Sequence, residues 1–171
     1  MQRSFASLRP QEVLHIALCI EQRNAGIYHR FAEMFTEFGD PESLEIAAVF
    51  WEMAVEEREH HALLERQYIQ QYGNPVRSFS EEELVEFIEV PRLEHGDVFG
   101  AVDGLAARQA ALQVALQAEV SAQLFYTRMT EQTADAALRQ TYYNLAQMED
   151  GHVAFLEAKL SQDTTAKPIL Q

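Results

Sequence analysis

The feature that most constrains the fold is a pair of helical segments that occurs twice. The sequence AVEEREHHALLE from Ala54 and the sequence AQMEDGHVAFLE from Ala146 share the pattern A-x-x-E-x-x-H-x-A-x-L-E, at an offset of 92 residues. Upstream, LHIALCIEQRNAGIY from Leu14 aligns with LQVALQAEVSAQLFY from Leu112, at an offset of 98 residues. Because the first offset is the smaller, the connection inside the second half is the shorter one. The repeat predicts two similar helical hairpins in one chain.

Apolar residues recur at helical spacing in four long stretches, which fits a chain with only seven glycines and five prolines. Gly39-Asp40-Pro41 separates the first two stretches, and Gly73-Asn74-Pro75 ends the second. The helices are therefore predicted over about residues 10–38, 41–72, 103–132 and 135–160, with a polar tail over residues 161–171.

The connections between these stretches differ in length, and their lengths indicate the architecture. The outer two are short, whereas the middle one covers about residues 73–102. A capping signature, Ser80-Glu81-Glu82-Glu83, predicts a short helix over residues 81–89 inside it. Two short connections around one long crossover are typical of a ferritin-like four-helix bundle. We therefore expect an all-α chain with one such domain over residues 1–171 and a bundle over about residues 10–160.

Charge and hydropathy exclude several classes of partner. The 171 residues carry a formal net charge of −14, which disfavours binding to nucleic acid or to anionic membranes. No apolar run is long enough to span a bilayer, and the N-terminus lacks the pattern of a secretory leader, so a cytoplasmic location is expected. The single cysteine, Cys19, excludes an internal disulfide and a cysteine-only metal cluster, and it is interpreted as a buried structural thiol.

Each predicted hairpin places carboxylates where apolar residues are expected. Glu21 and Glu119 each stand alone within the apolar stripe of a helix, where a carboxylate is costly unless something compensates its charge. The other two helices each add a glutamate and a histidine one turn apart. Four buried carboxylates need cations, and two divalent ions would bring the charge close to zero. The predicted metal ligands are Glu21, Glu57, His60, Glu119, Glu149 and His152.

This ligand set is that of carboxylate-bridged dimetal proteins, and oxygen with imidazole ligands suits iron or manganese, with zinc also possible. The residues Glu21, Glu57-Arg58-Glu59-His60, Glu119 and Glu149-Asp150-Gly151-His152 resemble, in type and order, the metal ligands of rubrerythrin-like members of the ferritin-like superfamily. The resemblance covers about residues 10–160. It implies that Glu57 and Glu149 bridge two ions, that Glu21 and Glu119 are terminal ligands, and that the two histidines complete the two positions.

Two tyrosines add to the resemblance, and two departures from the family pattern weaken it. Tyr28 and Tyr126 each lie seven residues after a predicted ligand, and they look like hydrogen-bond donors to ligand carboxylates or redox-active phenols. Rubrerythrins usually carry a further glutamate one turn after the third-helix ligand, where this chain has Ala122. The chain also lacks the paired CxxC motifs of a rubredoxin domain. The first departure weakens the case for the specialised peroxidase cycle, and the second implies a separate electron-donor protein.

Other acidic and histidine residues have simpler interpretations. Glu12 and His15 repeat the Glu-x-x-His spacing, but Glu12 faces away from Glu21 on the same helix and has no counterpart in the repeat. The repeat also selects His60 over His61, because His61 aligns with Val153; His61 remains a candidate for contact with a ligand. Outward-facing solubility charges are expected at Glu56, Glu59, Glu65 and Asp150.

The resemblance implies a non-haem di-iron oxidoreductase of the peroxidase or ferroxidase type. Its substrate would be hydrogen peroxide or dioxygen, its role oxidative-stress defence, and a homodimer is expected by analogy. Three alternatives stay open at this stage: a non-catalytic iron-binding or storage module, a di-iron hydroxylase acting on an organic substrate, and a bundle whose site is empty or holds structural zinc.

Overall fold

Helices account for nearly all of the chain that the structure describes. The computed structural model describes residues 8–74 and 104–165, and within these ranges it contains no strand. The predicted all-α four-helix bundle is confirmed, whereas the short helix predicted over residues 81–89 lies outside the described residues. The last helix continues beyond residue 160, where its end was predicted, because residues 161–165 contain no glycine or proline. The helices are α1 (Pro10–Phe38), α2 (Pro41–Tyr72), α3 (Gly104–Gln132) and α4 (Ala136–Thr165).

Short polar sequences set the two tight turns. Gly39 ends α1 in the left-handed region, with φ of 72°, which glycine adopts without steric cost. Asp40 then caps α2, because its carboxylate accepts hydrogen bonds from the Ser43 backbone N–H at 3.0 Å and the Ser43 hydroxyl at 2.5 Å. Asp135 caps α4 in the same way, accepting from the backbone N–H groups of Ala137 and Leu138, both at 2.9 Å. These caps fix where α2 and α4 begin, directly after the two short turns.

Two apolar clusters fill the bundle, one at each end. The α1-start cluster joins the beginning of α1 to the ends of α2 and α3 and the beginning of α4, and the α1-end cluster joins the opposite ends. The helices α1 and α4 therefore run in one direction, and α2 and α3 run in the other. The middle connection joins the parallel helices α2 and α3, so it must run back along the bundle by about the 43 Å length of the 29-residue α3, which explains why it is long. Representative buried residues are Leu14, Leu64 and Leu145 at the α1-start end, and Phe31, Phe50 and Leu156 at the α1-end.

The layer between the two clusters holds the four buried glutamates of the core. Along each helix, the predicted ligands lie between residues of the α1-start cluster and residues of the α1-end cluster. Apolar side chains above and below this layer, each contributing about 1.5–3 kcal/mol through burial, hold the carboxylates away from water. None of the described helices is long and apolar enough to cross a membrane.

Candidate metal centre

All six predicted ligands meet midway along the bundle. The four glutamates are fully buried, the His60 side chain is 7% exposed and the His152 side chain is 15% exposed. Each helix contributes in the way that the sequence indicates: α1 and α3 contribute one glutamate each, and α2 and α4 contribute a glutamate and a histidine one turn apart. The residues are Glu21, Glu57, His60, Glu119, Glu149 and His152.

Their ligand atoms form two overlapping groups. One group is Glu21, Glu57, His60 and Glu149, and the other is Glu57, Glu119, Glu149 and His152; within each group the atoms lie within 4.8 Å of one another. Only Glu57 and Glu149 belong to both groups. This sharing is the arrangement that two bridging carboxylates produce.

Both histidines present the same ring nitrogen to the cluster. His60 Nδ1 lies 3.2 Å from Glu21 Oε2 and 3.5 Å from Glu149 Oε1. His152 Nδ1 lies 3.4 Å from both Glu119 Oε2 and Glu149 Oε2. The two rings stack with centroids 6.1 Å apart and an interplanar angle of 25°. The two halves of the repeat thus converge on one site with near-equivalent geometry.

Several buried polar atoms at this site have no hydrogen-bond partner within the described part of the chain. They are both carboxylate oxygens of Glu57, both of Glu149, Glu119 Oε2 and His152 Nδ1. Each such atom costs roughly 1–3 kcal/mol if nothing satisfies it. Five carboxylate oxygens and an imidazole nitrogen facing one another are the donor set that a divalent transition metal accepts. The residues present therefore fit metal ions, and the cluster could hold them.

The electrostatics of the protein without metal point the same way. Burial, followed by the charges of Glu21, Glu119 and Glu149, raises the pKa of Glu57 well above its usual value. Burial, followed by the charge of Glu149, raises the pKa of Glu119 to about 8. The cluster therefore cannot keep all of its carboxylates ionised at neutral pH without a compensating positive charge.

The histidines supply part of that charge. Burial lowers the pKa of His60, but the nearby carboxylates of Glu149 and Glu21 outweigh burial and raise it to about 10. Burial likewise lowers the pKa of His152, but the nearby carboxylates of Glu119 and Glu149 raise it to about 11. Burial raises the pKa of Glu149, yet its proximity to Glu119 and to both histidines leaves that pKa lowered. Metal ions bound here would replace these imidazolium protons.

The two predicted tyrosines contact ligand carboxylates, and each contact crosses between the hairpins. The Tyr28 hydroxyl on α1 donates to Glu119 Oε1 on α3, and the Tyr126 hydroxyl on α3 donates to Glu21 Oε1 on α1. Burial and then the neighbouring carboxylates raise the pKa of both phenols well above their usual value, so both stay protonated as donors. Each reciprocal pair fixes one carboxylate oxygen and leaves the other to face the cluster.

The prediction that Glu56 is an outward-facing charge was wrong. Glu56 Oε2 lies 2.7 Å from His152 Nε2, on the side of the ring opposite the cluster. Glu56 lies on α2, and its carboxylate reaches across to His152 on α4. Its side chain is nevertheless 45% exposed. The repeat concealed this role, because it aligns Glu56 with Met148, which cannot do the same. Glu59, Glu65 and Asp150 are exposed, as predicted.

The remaining sequence interpretations have clear outcomes. Glu12 pairs with Arg9 at the start of α1, and the His15 ring packs against Tyr68 with centroids 5.9 Å apart, so neither joins the cluster. His61 belongs to neither ligand group and lines a surface cavity of about 300 Å³ between α1 and α2. Cys19 is buried, as expected.

One buried polar residue near the site escaped the sequence interpretation. Asn24 lies one turn after Glu21 on α1, it is buried, and its Nδ2 has no hydrogen-bond partner among the described residues. At the offset of 98 residues, Asn24 aligns with Ala122, which is also buried. Comparing the two hairpins at this position would have revealed a polar residue on one side only.

No family model and no curated protein matches the chain. A crystal structure of an uncharacterized conserved protein from Magnetospirillum magnetotacticum MS-1 is similar to it, with a TM-score of 0.72 and 19% sequence identity over 96% of this chain and 100% of that one. At this identity the similarity extends to the helical fold alone, and it covers nearly the whole chain. The chemistry of the site must therefore be argued from this chain's own residues.

Proposed function

We propose that the chain is a dimetal carboxylate protein of the rubrerythrin-like type, with iron as its metal, and that its centre reduces hydrogen peroxide or reacts with dioxygen. The observation that carries the proposal is the pair of overlapping ligand groups, which share Glu57 and Glu149 and no other residue. A single metal would need only one such group. The resemblance of the two Glu-x-x-His motifs and two lone glutamates to rubrerythrin-like ligands supports the same conclusion.

Each residue has a role in this proposal. Glu57 and Glu149 would be shared by the two ions, Glu21 and His60 would help to hold one ion, and Glu119 and His152 would help to hold the other. Iron, when bound, supplies the electrons that reduce peroxide or dioxygen. The chain holds the ligands in a buried layer between two apolar clusters, which limits water at the site. Tyr28 and Tyr126 each donate a hydrogen bond to one oxygen of a terminal glutamate, which orients the carboxylate so that its other oxygen faces the cluster.

The oxidoreductase function requires a supply of electrons. These 171 residues contain one cysteine, Cys19, so they form no redox centre built from paired cysteines. A separate electron-donor protein is part of the proposal, as is a role in oxidative-stress defence. Carboxylate and imidazole ligands suit the redox-active iron ion, whereas structural zinc sites in proteins are mostly built from cysteine and histidine.

The test is the oxidation of ferrous iron in the loaded protein. Metal-free protein is loaded anaerobically with two equivalents of Fe²⁺, mixed with hydrogen peroxide or with dioxygen, and followed by absorbance in a stopped-flow instrument. Wild type should oxidise iron much faster than the double variant Glu57→Ala/Glu149→Ala, which lacks both shared ligands. Glu59→Ala is the matched control, because Glu59 is an exposed glutamate on the same helix.

The outcomes separate the proposal from its alternatives. Equal oxidation rates for wild type and the double variant would refute it. Fast oxidation by dioxygen that deposits many irons per chain in a large assembly, seen by mass determination, would indicate storage instead. Peroxide consumption that continues catalytically when a reductant is supplied identifies the peroxidase.

A further inference from the structure

The two metal positions are built from nearly identical parts. Each position has one terminal glutamate, one histidine presenting Nδ1, and the same two shared glutamates. Each terminal glutamate also accepts a hydrogen bond from the tyrosine of the other hairpin. If these were the only groups involved, the two positions would have similar affinities for a metal ion.

Glu56 breaks this equivalence. Its Oε2 lies 2.7 Å from His152 Nε2, and because a carboxylate accepts, the ring nitrogen donates. The residue that the repeat aligns with Glu56, at the offset of 92 residues, is Met148. Met148 is half exposed, and its thioether is only a weak acceptor. His152 therefore has a carboxylate partner from α2, whereas the equivalent position on α4 offers His60 no carboxylate.

The hydrogen bond has two consequences for His152. It keeps a proton on Nε2, so that the neutral ring presents its lone pair at Nδ1, which is buried and has no hydrogen-bond partner within the described residues. It also places a negative charge beside the ring, which makes the imidazole a stronger electron donor to a metal ion. A carboxylate paired in this way with a ligating histidine both orients the ring and strengthens the bond.

We propose that Glu56 is a positioning residue that makes the two metal positions inequivalent, so that the position formed by Glu119 and His152 binds its ion more tightly and fills first. The proposal rests on the dimetal function proposed above. Exposure agrees with the order of filling, because His152 and Glu56 are partly open to solvent, whereas the His60 side chain is 7% exposed.

The test titrates metal-free protein with Co²⁺, following heat by calorimetry and the visible absorption of the bound ion. Wild type should bind two ions in two resolved steps. Glu56→Gln should weaken the tighter step about 10- to 100-fold and leave the weaker step in place. Glu59→Gln removes an exposed charge from the same helix and should change neither step. A variant whose only fault is a perturbed fold would weaken both steps together, which separates positioning from general damage.

Two further variants identify which position each step reports. Glu119→Ala should remove the tighter step, and Glu21→Ala should remove the weaker one. Two indistinguishable steps in wild type, an equal loss of both steps in Glu56→Gln, or removal of the tighter step by Glu21→Ala would each overturn the inference while leaving the dimetal proposal intact. Wild type that binds no more Co²⁺ than Glu57→Ala/Glu149→Ala would instead overturn the dimetal proposal itself.

Discussion

Replacing Tyr126 by phenylalanine isolates one hydrogen bond that the structure places on a ligand carboxylate. The ring is fully buried and stacks on Tyr142 with centroids 6.2 Å apart, and phenylalanine keeps that packing. What the variant loses is the hydroxyl that donates to Glu21 Oε1. A buried carboxylate oxygen then lacks its donor, so the metal-free protein should become less stable.

The magnitude follows from the charge of the acceptor. A hydrogen bond to a charged group contributes roughly 1.5–3 kcal/mol, more than a neutral one, and removing the donor leaves the acceptor's desolvation uncompensated. A domain of this size shifts its Tm by about 2–4 °C for each kcal/mol. The Tyr126→Phe variant should therefore melt about 3 to 12 °C below wild type.

The assay is urea and thermal unfolding of metal-free protein, followed by circular dichroism. Tyr143→Phe is the matched control, because Tyr143 is half exposed on α4 and its loss should stay within about 0.5 kcal/mol. Tyr28→Phe should also be destabilised, but by less near neutral pH, since Tyr28 makes the reciprocal bond to Glu119, whose pKa is raised to about 8. If Tyr126→Phe is as stable as Tyr143→Phe, the reciprocal tyrosine bonds do not stabilise the carboxylate layer, and the reasoning is refuted.

Three further outcomes can be measured on the same material. The pKa of Glu119 is raised from 4.5 to about 8, and the pKa values of His60 and His152 are raised from 6.5 to about 10 and 11. These groups stabilise the metal-free fold fully below their unfolded pKa values and lose that effect as pH rises through the folded ones. The urea concentration at the unfolding midpoint should therefore decrease as the pH is raised from 6 to 10, and a midpoint that increases would contradict the assignment. Over the same range the Co²⁺ affinity should increase, because the bound protons must leave when the metal binds. His61→Ala should bind as many Co²⁺ ions as wild type, since His61 lies outside both ligand groups, and a lower stoichiometry would place it at the site. Phe50→Ala should cost about 3–5 kcal/mol in urea unfolding, because Phe50 is fully buried against Tyr28 and Phe31, whereas Leu124→Ala, mostly exposed, should cost little; similar losses would contradict the packing described.

The helices and the six clustered residues were predictable because both depend on spacing along the chain. Helical periodicity and the Gly39 and Gly73 stops locate the elements, and the repeat distinguishes Glu57 from Glu56 and His60 from His61. What spacing could not predict is contact across helices. Tyr28 lies seven residues, about 10 Å along the axis, beyond Glu21 on its own helix. Its side chain leans back toward the N-terminus of α1 and meets Glu119 on α3, because α1 and α3 are antiparallel.

Glu56 illustrates a second reason why spacing is insufficient. A repeat identifies the positions that both halves need, so it identifies ligands well and discards residues that serve one half only. The differences between the two halves include Glu56 against Met148, Asn24 against Ala122, and Phe50 against Tyr142. Asn24, Ala122, Phe50 and Tyr142 are buried, whereas Glu56 and Met148 are half exposed. Glu56 contacts His152 of the cluster directly.

These differences have a chemical implication for a centre built from two similar hairpins. Identical halves would give two metal positions with equal affinity and equal access, and a small oxidant would then have no preferred side of approach. The side chains of Glu56 and His152 are 45% and 15% exposed. His152 therefore has a carboxylate beside the ring nitrogen that faces away from the cluster, and its side chain is partly open to solvent. In the proposed dimetal centre the shared glutamates would hold both ions, and Glu56 would decide which position fills first. The repeat thus accounts for the existence of the site, and the departures from the repeat account for the difference between its two positions.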